Sequence, residues 1–245
     1  MYWYLLILFC CLILLTQWLT KHVQGVGYLL TGDGQIALIL YYLLAFPGVF
    51  IHELSHALVA WLLRVRVSHL SFGIRRKARG RQVALGSVDI ASTDPIRASL
   101  IGLAPLVFGC GAILLISSRV LGLRPLAAFS VQSFWQELRT TCSVPDFGLW
   151  IYLVFAIGNG MLPSASDRRQ WGIALLFLLF LGALTYFSGL FDTISAPLGR
   201  WVREGANHLT YAFAVTVVVD LLFATIVFLM ERGLALLGFG HLEYR

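Results

Sequence analysis

Six stretches of this chain, at about residues 2–19, 35–63, 95–117, 147–162, 171–190 and 209–230, are almost wholly apolar and close to the length that crosses a bilayer. A water-soluble core has no use for so many continuous apolar runs, so they dictate the class before any motif is read. Hydrophobic residues make up 59% of the 245 and charged residues only 12%, which leaves room for about six spans and little else. The expected fold is an all-α polytopic membrane protein of about six transmembrane helices. Tyr2, Trp3, Tyr4 and Trp18 sit near the ends of the first run, as interfacial aromatics do. Its start lacks a basic segment and a small-residue cleavage site, so it is expected to stay as an anchor. A glycine-rich turn (Gly25, Gly27, Gly32, Gly34) is expected to follow it, and Pro47-Gly48 should kink the second run.

The net charge of +6 is concentrated in the loops. In a membrane protein that pattern reports orientation rather than a nucleic-acid partner. With six spans, Arg64, Arg66, Arg75, Arg76, Lys77, Arg79, Arg81, Arg97, Arg168, Arg169, Arg232 and Arg245 fall on one side, against half as many basic residues on the other. This places both termini in the cytoplasm of a cell inner membrane of bacterial type. Around the basic segment the pattern changes period. Val65-Arg66-Val67-Ser68 and Gly86-Ser87-Val88-Asp89-Ile90 alternate, which predicts a small β-hairpin at the membrane surface, joined through Lys77 to Arg81. A solvated basic loop touching anionic lipid accounts for the charges equally well. His69, alone there, reads as a strand surface residue rather than a ligand. Small residues along residues 95–117 permit close helix packing. An outer loop runs from Arg119 to Pro145, with an amphipathic interfacial helix expected at Phe129 to Leu138. A polar connector precedes the last span, which contains Asp220; that residue is expected to pair with a neighbouring helix or face a partner subunit. The four cysteines form no C-x-x-C pair, so neither a disulfide framework nor a cysteine metal site is expected.

Within the second run stands Phe50-Ile51-His52-Glu53-Leu54-Ser55-His56. On a helix, His52 and His56 are four residues apart and share a face, so both imidazoles can reach one metal ion. Glu53 is turned about a quarter of the way round, where a carboxylate can reach a water at that ion. Two neutral nitrogens, a general base and an open position are the parts of a zinc hydrolase. Two histidines and a carboxylate in hydrocarbon are costly, which favours function over packing. The pair lies roughly 12–18 Å below the cytoplasmic end of its helix.

A catalytic zinc takes a third protein ligand, and Asp167 is the candidate. It follows a segment broken by glycine and proline, Gly158-Asn159-Gly160-Met161-Leu162-Pro163, and emerges on the same side as the histidines. Position alone leaves open a second role, in which Ser164, Ser166 or Asp167 caps the fifth span.

The pattern of H-E-x-x-H in one membrane helix, followed by Asn159, Pro163 and Asp167, resembles the site-2 protease family of intramembrane zinc metalloproteases. Ile101-Gly102-Leu103-Ala104-Pro105 is similar to that family's Ala-Gly-Pro helix, and the hairpin matches its membrane-surface strands. The resemblance covers about residues 45–185. It implies one Zn2+ per chain held by His52, His56 and Asp167, Glu53 as general base, and Asn159 and Pro163 in substrate binding. Arg168 stands where the family usually has glycine, Pro163 comes one place late, and Phe108 or Gly109 replaces an asparagine. The resemblance thus divides the chain into an anchor helix and turn (1–34), a protease-like core (35–190) and a connector with a last helix (191–245). The expected activity is hydrolysis of peptide bonds in or near transmembrane segments of membrane proteins. The competing reading is a catalytically silent, protease-derived subunit or scaffold of a larger membrane complex. A transporter would need polar residues in several spans, which are lacking.

Overall fold

The computed structural model describes residues 2–76, 83–123, 139–169 and 171–237. It is mostly helical, with a small β-ribbon. Helix α1 (Tyr2–Thr31) runs straight through Gly25 and Gly27 and ends at Gly32, whose φ of 69° is the left-handed conformation glycine adopts at helix ends. The expected glycine-rich turn therefore shrinks to Gly32-Asp33. Gly27 lies inside the helix because α1 packs closely on α2 there: a Cβ on it would lie 3.1 Å from the Ala37 Cα. Helix α2 (Gly34–Leu62) is capped by Asp33, which accepts from the Gln35 N–H at 2.6 Å. Pro47 lies inside α2 without ending it.

The chain then forms β1 (Val67–Ser71), β2 (Arg75–Arg76), β3 (Val83–Ala84) and β4 (Ser87–Ile90). β1 pairs antiparallel with β4, Leu70 opposite Val88, with an irregularity between Val67 and His69; β2 pairs with β3. His69 is an exposed strand residue. The ribbon's end at Lys77 to Arg81 lies outside the described residues. Tyr42 Oη donates to the Phe72 carbonyl, and the Phe50 and Phe72 rings are 5.0 Å apart, so the ribbon is tied to α2.

Helix α3 (Pro95–Leu115) starts with proline behind the N-cap Asp94, which accepts from the Ile96 and Arg97 N–H groups, and it widens into a π-helical turn over Ile116–Val120. The expected interfacial helix at Phe129 to Leu138 lies outside the described residues. Helix α4 (Phe147–Gly160) follows, then α5 (Trp171–Phe187) and α6 (Phe191–Leu236). The expected polar connector is helical and continuous with the last span: α6 runs 46 residues, with Pro197 inside it.

Among the described residues, four helices, α1, α2, α3 with its π turn, and α6, are long and apolar enough to cross a membrane; α4 and α5 are shorter apolar helices of 14 and 17 residues. A 14-residue helix rises about 21 Å, less than the hydrocarbon thickness of about 30 Å. Large apolar side chains are exposed along α1, α2, α5 and α6, as on a lipid-facing surface. Inside, Leu12, Leu19, Ile113, Val154, Met161 and Phe213 form a core where α1, α3, α4 and α6 meet. His22 of α1 bonds Glu231 of α6 at 2.8 Å, which joins the first helix to the last. Asp220 is fully buried and pairs with Asn159 of α4, as a neighbouring-helix partner.

Candidate metal centre

α2 presents His52 and His56 one helical turn apart, their ring centroids separated by 4.8 Å. Each ring is anchored from behind by a different helix. His52 Nδ1 donates to the carbonyl of Gly160, the last residue of α4, at 2.7 Å. His56 Nδ1 donates to the Ile101 carbonyl of α3 at 2.8 Å. A backbone carbonyl can only accept, so both Nδ1 atoms carry protons and both Nε2 atoms are left as the ligating nitrogens. These two nitrogens face each other 3.1 Å apart.

Asp167 enters on the turn between α4 and α5. Its Oδ1 lies 3.3 Å from His56 Nε2 and its Oδ2 3.6 Å from His52 Nε2. Burial works against its charge, but contacts with His52 and His56 and the Ser164 N–H, at 2.6 Å, outweigh this and hold its carboxyl well below the usual range. Its hydrogen bond to Ser164 closes its own turn; among the described residues it caps no N–H of α5. The ligand atoms of His52, His56 and Asp167 all lie within 4.8 Å of one another. Two nitrogen lone pairs and a carboxylate converging at this spacing repel unless they share a cation. A tetrahedral ion about 2.0–2.1 Å from each nitrogen sets two such nitrogens about 3.3 Å apart, close to the distance found. These three residues therefore form a set able to hold a metal ion.

Glu53 is 8% exposed beside them. The β-ribbon reaches over it: a Cβ on Gly86, just before β4, would lie 2.7 Å from both Cγ and Oε1 of Glu53, so any side chain there would push the Glu53 side chain aside. His52, Glu53, His56, Asn159 and Asp167 all line one cavity of about 1130 Å³, whose wall also includes Ser87–Ile90 of β4. Pro163 is outside that lining, on the bend by which the chain leaves α4. The structure thus brings together every candidate site residue except Pro163.

The supports behind the ligands were not legible as such. Gly102 backs Asp167: a Cβ there would overlap the Asp167 carbonyl oxygen and sit 3.1 Å from its carbon. In the sequence Gly102 signals small-residue packing and part of the Ala-Gly-Pro resemblance, with nothing to tie it to Asp167. Gly102→Ala is expected to shift the Asp167 turn and weaken metal binding by roughly tenfold or more without altering a ligand atom, since groups that orient ligands matter at that scale. Competition against a chelating dye reads this directly; unchanged affinity would show that the turn adjusts freely.

Compared with protein-family profiles, curated proteins and solved structures, the chain matches none of them.

Proposed function

We propose that the chain is an intramembrane zinc endopeptidase of the site-2 protease kind, acting on membrane-protein segments. The observation that carries this reading is the convergence of His52, His56 and Asp167 beside Glu53 in a cavity among apolar helices. The donor set of two imidazoles and one carboxylate, with a position left for water, suits zinc. His52, His56 and Asp167 hold the ion, one per chain. Bound there, zinc supplies a Lewis acid that acidifies water and polarises the scissile carbonyl.

The chain's own residues do the rest. Glu53 takes the proton of the attacking water as the oxygen–carbon bond forms, and returns it to the amide nitrogen as the carbon–nitrogen bond breaks. Its carboxylate makes no hydrogen bond among the described residues, which leaves it free for that proton. A helical peptide bond is shielded by its own hydrogen bonding, so the substrate must be extended. β4 pairs with β1 along one edge, and its residues line the cavity, so its other edge suits an added substrate strand. Asn159 meets such a strand from the α4 side, and Pro163 acts by ending α4 so that the turn can enter. The basic residues of Arg64 to Arg97 support a reading in which the ribbon and both termini lie on the cytoplasmic side of a bacterial-type inner membrane.

One observation favours the reading as a silent subunit: α5 follows the site directly and buries none of its residues, as a helix awaiting partner chains would. The experiment separates the two. Detergent-purified wild type is expected to carry about one zinc per chain and to cleave single-span reporters; Glu53→Gln is expected to keep the zinc and cleave about a thousandfold more slowly. Zinc with cleavage indifferent to Glu53→Gln, or no zinc in the wild type, would overturn the proposal.

A further inference from the structure

α6 carries a carboxylate in the stretch that packs on α4. Asp220 is fully buried, although an ionisable side chain inside an apolar helix is costly and defaults to a functional role. Three contacts fix the seam around it. The Phe155 and Phe223 rings stack with centroids 4.0 Å apart. Gly158 makes room for Thr216, whose methyl a Cβ on Gly158 would strike. Alongside them, Asn159 Nδ2 donates to Asp220 Oδ1 at 2.8 Å and to the Phe155 carbonyl at 2.9 Å. The other Asp220 oxygen has no hydrogen-bond partner among the described residues.

The acceptors determine which way the amide faces. A backbone carbonyl accepts and never donates, so the nitrogen of Asn159 must be the atom turned to Phe155 and Asp220. Both of its hydrogens are then taken up on the α4–α6 side. The amide oxygen is the polar atom left for the cavity that Asn159 lines. The next residue, Gly160, gives its carbonyl to His52. The α6 carboxylate thus acts on the cavity through one intervening side chain, next to the backbone group that orients a metal ligand.

We propose that Asp220 is a positioning residue for this site: it holds the Asn159 amide so that its oxygen accepts a backbone N–H of the extended substrate. This inference rests on the endopeptidase reading and adds to it a residue from outside the motif-bearing core. Asp220 touches neither substrate nor metal. With leucine at 220 the seam stays filled, but the Asn159 amide loses its interhelical acceptor and is held by the Phe155 carbonyl alone, with one N–H left unpaired and able to turn toward a substrate N–H. Asparagine at 220 keeps an acceptor oxygen and preserves the arrangement.

The test measures binding as well as turnover. A labelled single-span segment that the wild type cleaves is titrated against zinc-loaded protein in the inactive Glu53→Gln background. Asp220→Leu is expected to weaken binding about tenfold, the scale of one lost hydrogen bond with a misdirected donor, with zinc content unchanged. In the active background it should raise KM more than it lowers kcat, and Asp220→Asn should stay within about twofold of wild type. Should Asp220→Leu fail to fold, the Asn159→Ala background decides. Asp220 acts through the Asn159 amide, so with that amide removed, Asp220→Ala should weaken binding no further than Asn159→Ala alone. Wild-type binding by folded Asp220→Leu, equal defects in Asp220→Leu and Asp220→Asn, or a further loss on adding Asp220→Ala to Asn159→Ala would overturn the inference while leaving the protease intact. A wild type that binds zinc and cleaves nothing would instead overturn the endopeptidase reading, and this inference with it.

Discussion

Asp167→Ala is expected to cost the purified protein nearly all of its metal. The binding free energy of a closed zinc site, about 10–16 kcal/mol, spread over its ligands gives roughly 3–4 kcal/mol for each, or a factor of about 100 to 1000 in affinity. Asp167 matters more than an even share suggests, because it is the anionic member of the set. Without it, two neutral imidazoles must hold a dication among apolar helices, and burying an uncompensated charge is expensive. Asp167 also closes its own turn through the Ser164 N–H, so loss of metal could follow from a loosened turn. Asp167→Asn separates the two effects: the amide oxygen still accepts from Ser164, but the charge is gone. Both variants should therefore lose metal in elemental analysis after dialysis, and both should lose cleavage. Full metal in Asp167→Asn would show that the carboxylate's charge is not what holds the ion.

The second large effect is expected at a residue that carries no chemistry. Gly48 of α2 lies against the backbone of α4, where a Cβ would overlap the Ala156 carbonyl oxygen and stand 2.7 Å from its carbon. The contact is reciprocal, since a Cβ on Gly160 would stand 2.7–2.8 Å from the backbone of Gly48. Backbone atoms cannot swing aside like the end of a side chain, so Gly48→Ala must part α2 from α4. Overpacking of this kind costs about 1–3 kcal/mol, which for a chain of this size lowers the melting temperature by about 2–12 °C. The same displacement draws the Gly160 carbonyl away from His52 Nδ1, so metal affinity should fall about tenfold as well. Gly111→Ala is the control: a Cβ there meets nothing within 4 Å, and both readouts should hold or improve. A melting temperature unchanged in Gly48→Ala would show that the two helices are not so closely set.

Local spacing alone is enough to reveal the two candidate histidine ligands. His52 and His56 are one turn apart in a single helix, and no tertiary information is needed to place them together. The ribbon was legible from alternation, although β1 starts at Val67 rather than Val65 and the strands pair with an irregularity. Glycine was the source of the main misreading. Gly25 and Gly27 look like punctuation in sequence, yet both lie inside α1, and Gly27 serves close packing on Ala37. A glycine that ends a helix and one that admits a neighbouring helix look alike until the neighbour is known. The polar residues before the last span misled for a similar reason: Arg200, Arg203 and Glu204 are exposed on a helix that continues into the span. The carbonyls of Ile101 and Gly160 that orient the histidines lie outside any side-chain pattern, since every residue has one.

The groups that make up the metal centre reach the bilayer at different times. A chain that has inserted α1 to α3 already carries His52, Glu53, His56 and the Ile101 carbonyl. It still lacks the Gly160 carbonyl, separated from His52 by 108 residues, and it lacks Asp167. On the proposed reading, the parts assigned to hydrolysis arrive long before the parts that orient them and complete the candidate metal set. A half-made copy would then be inert toward the nascent helices beside it, and activity would wait until α4 and its turn are in place.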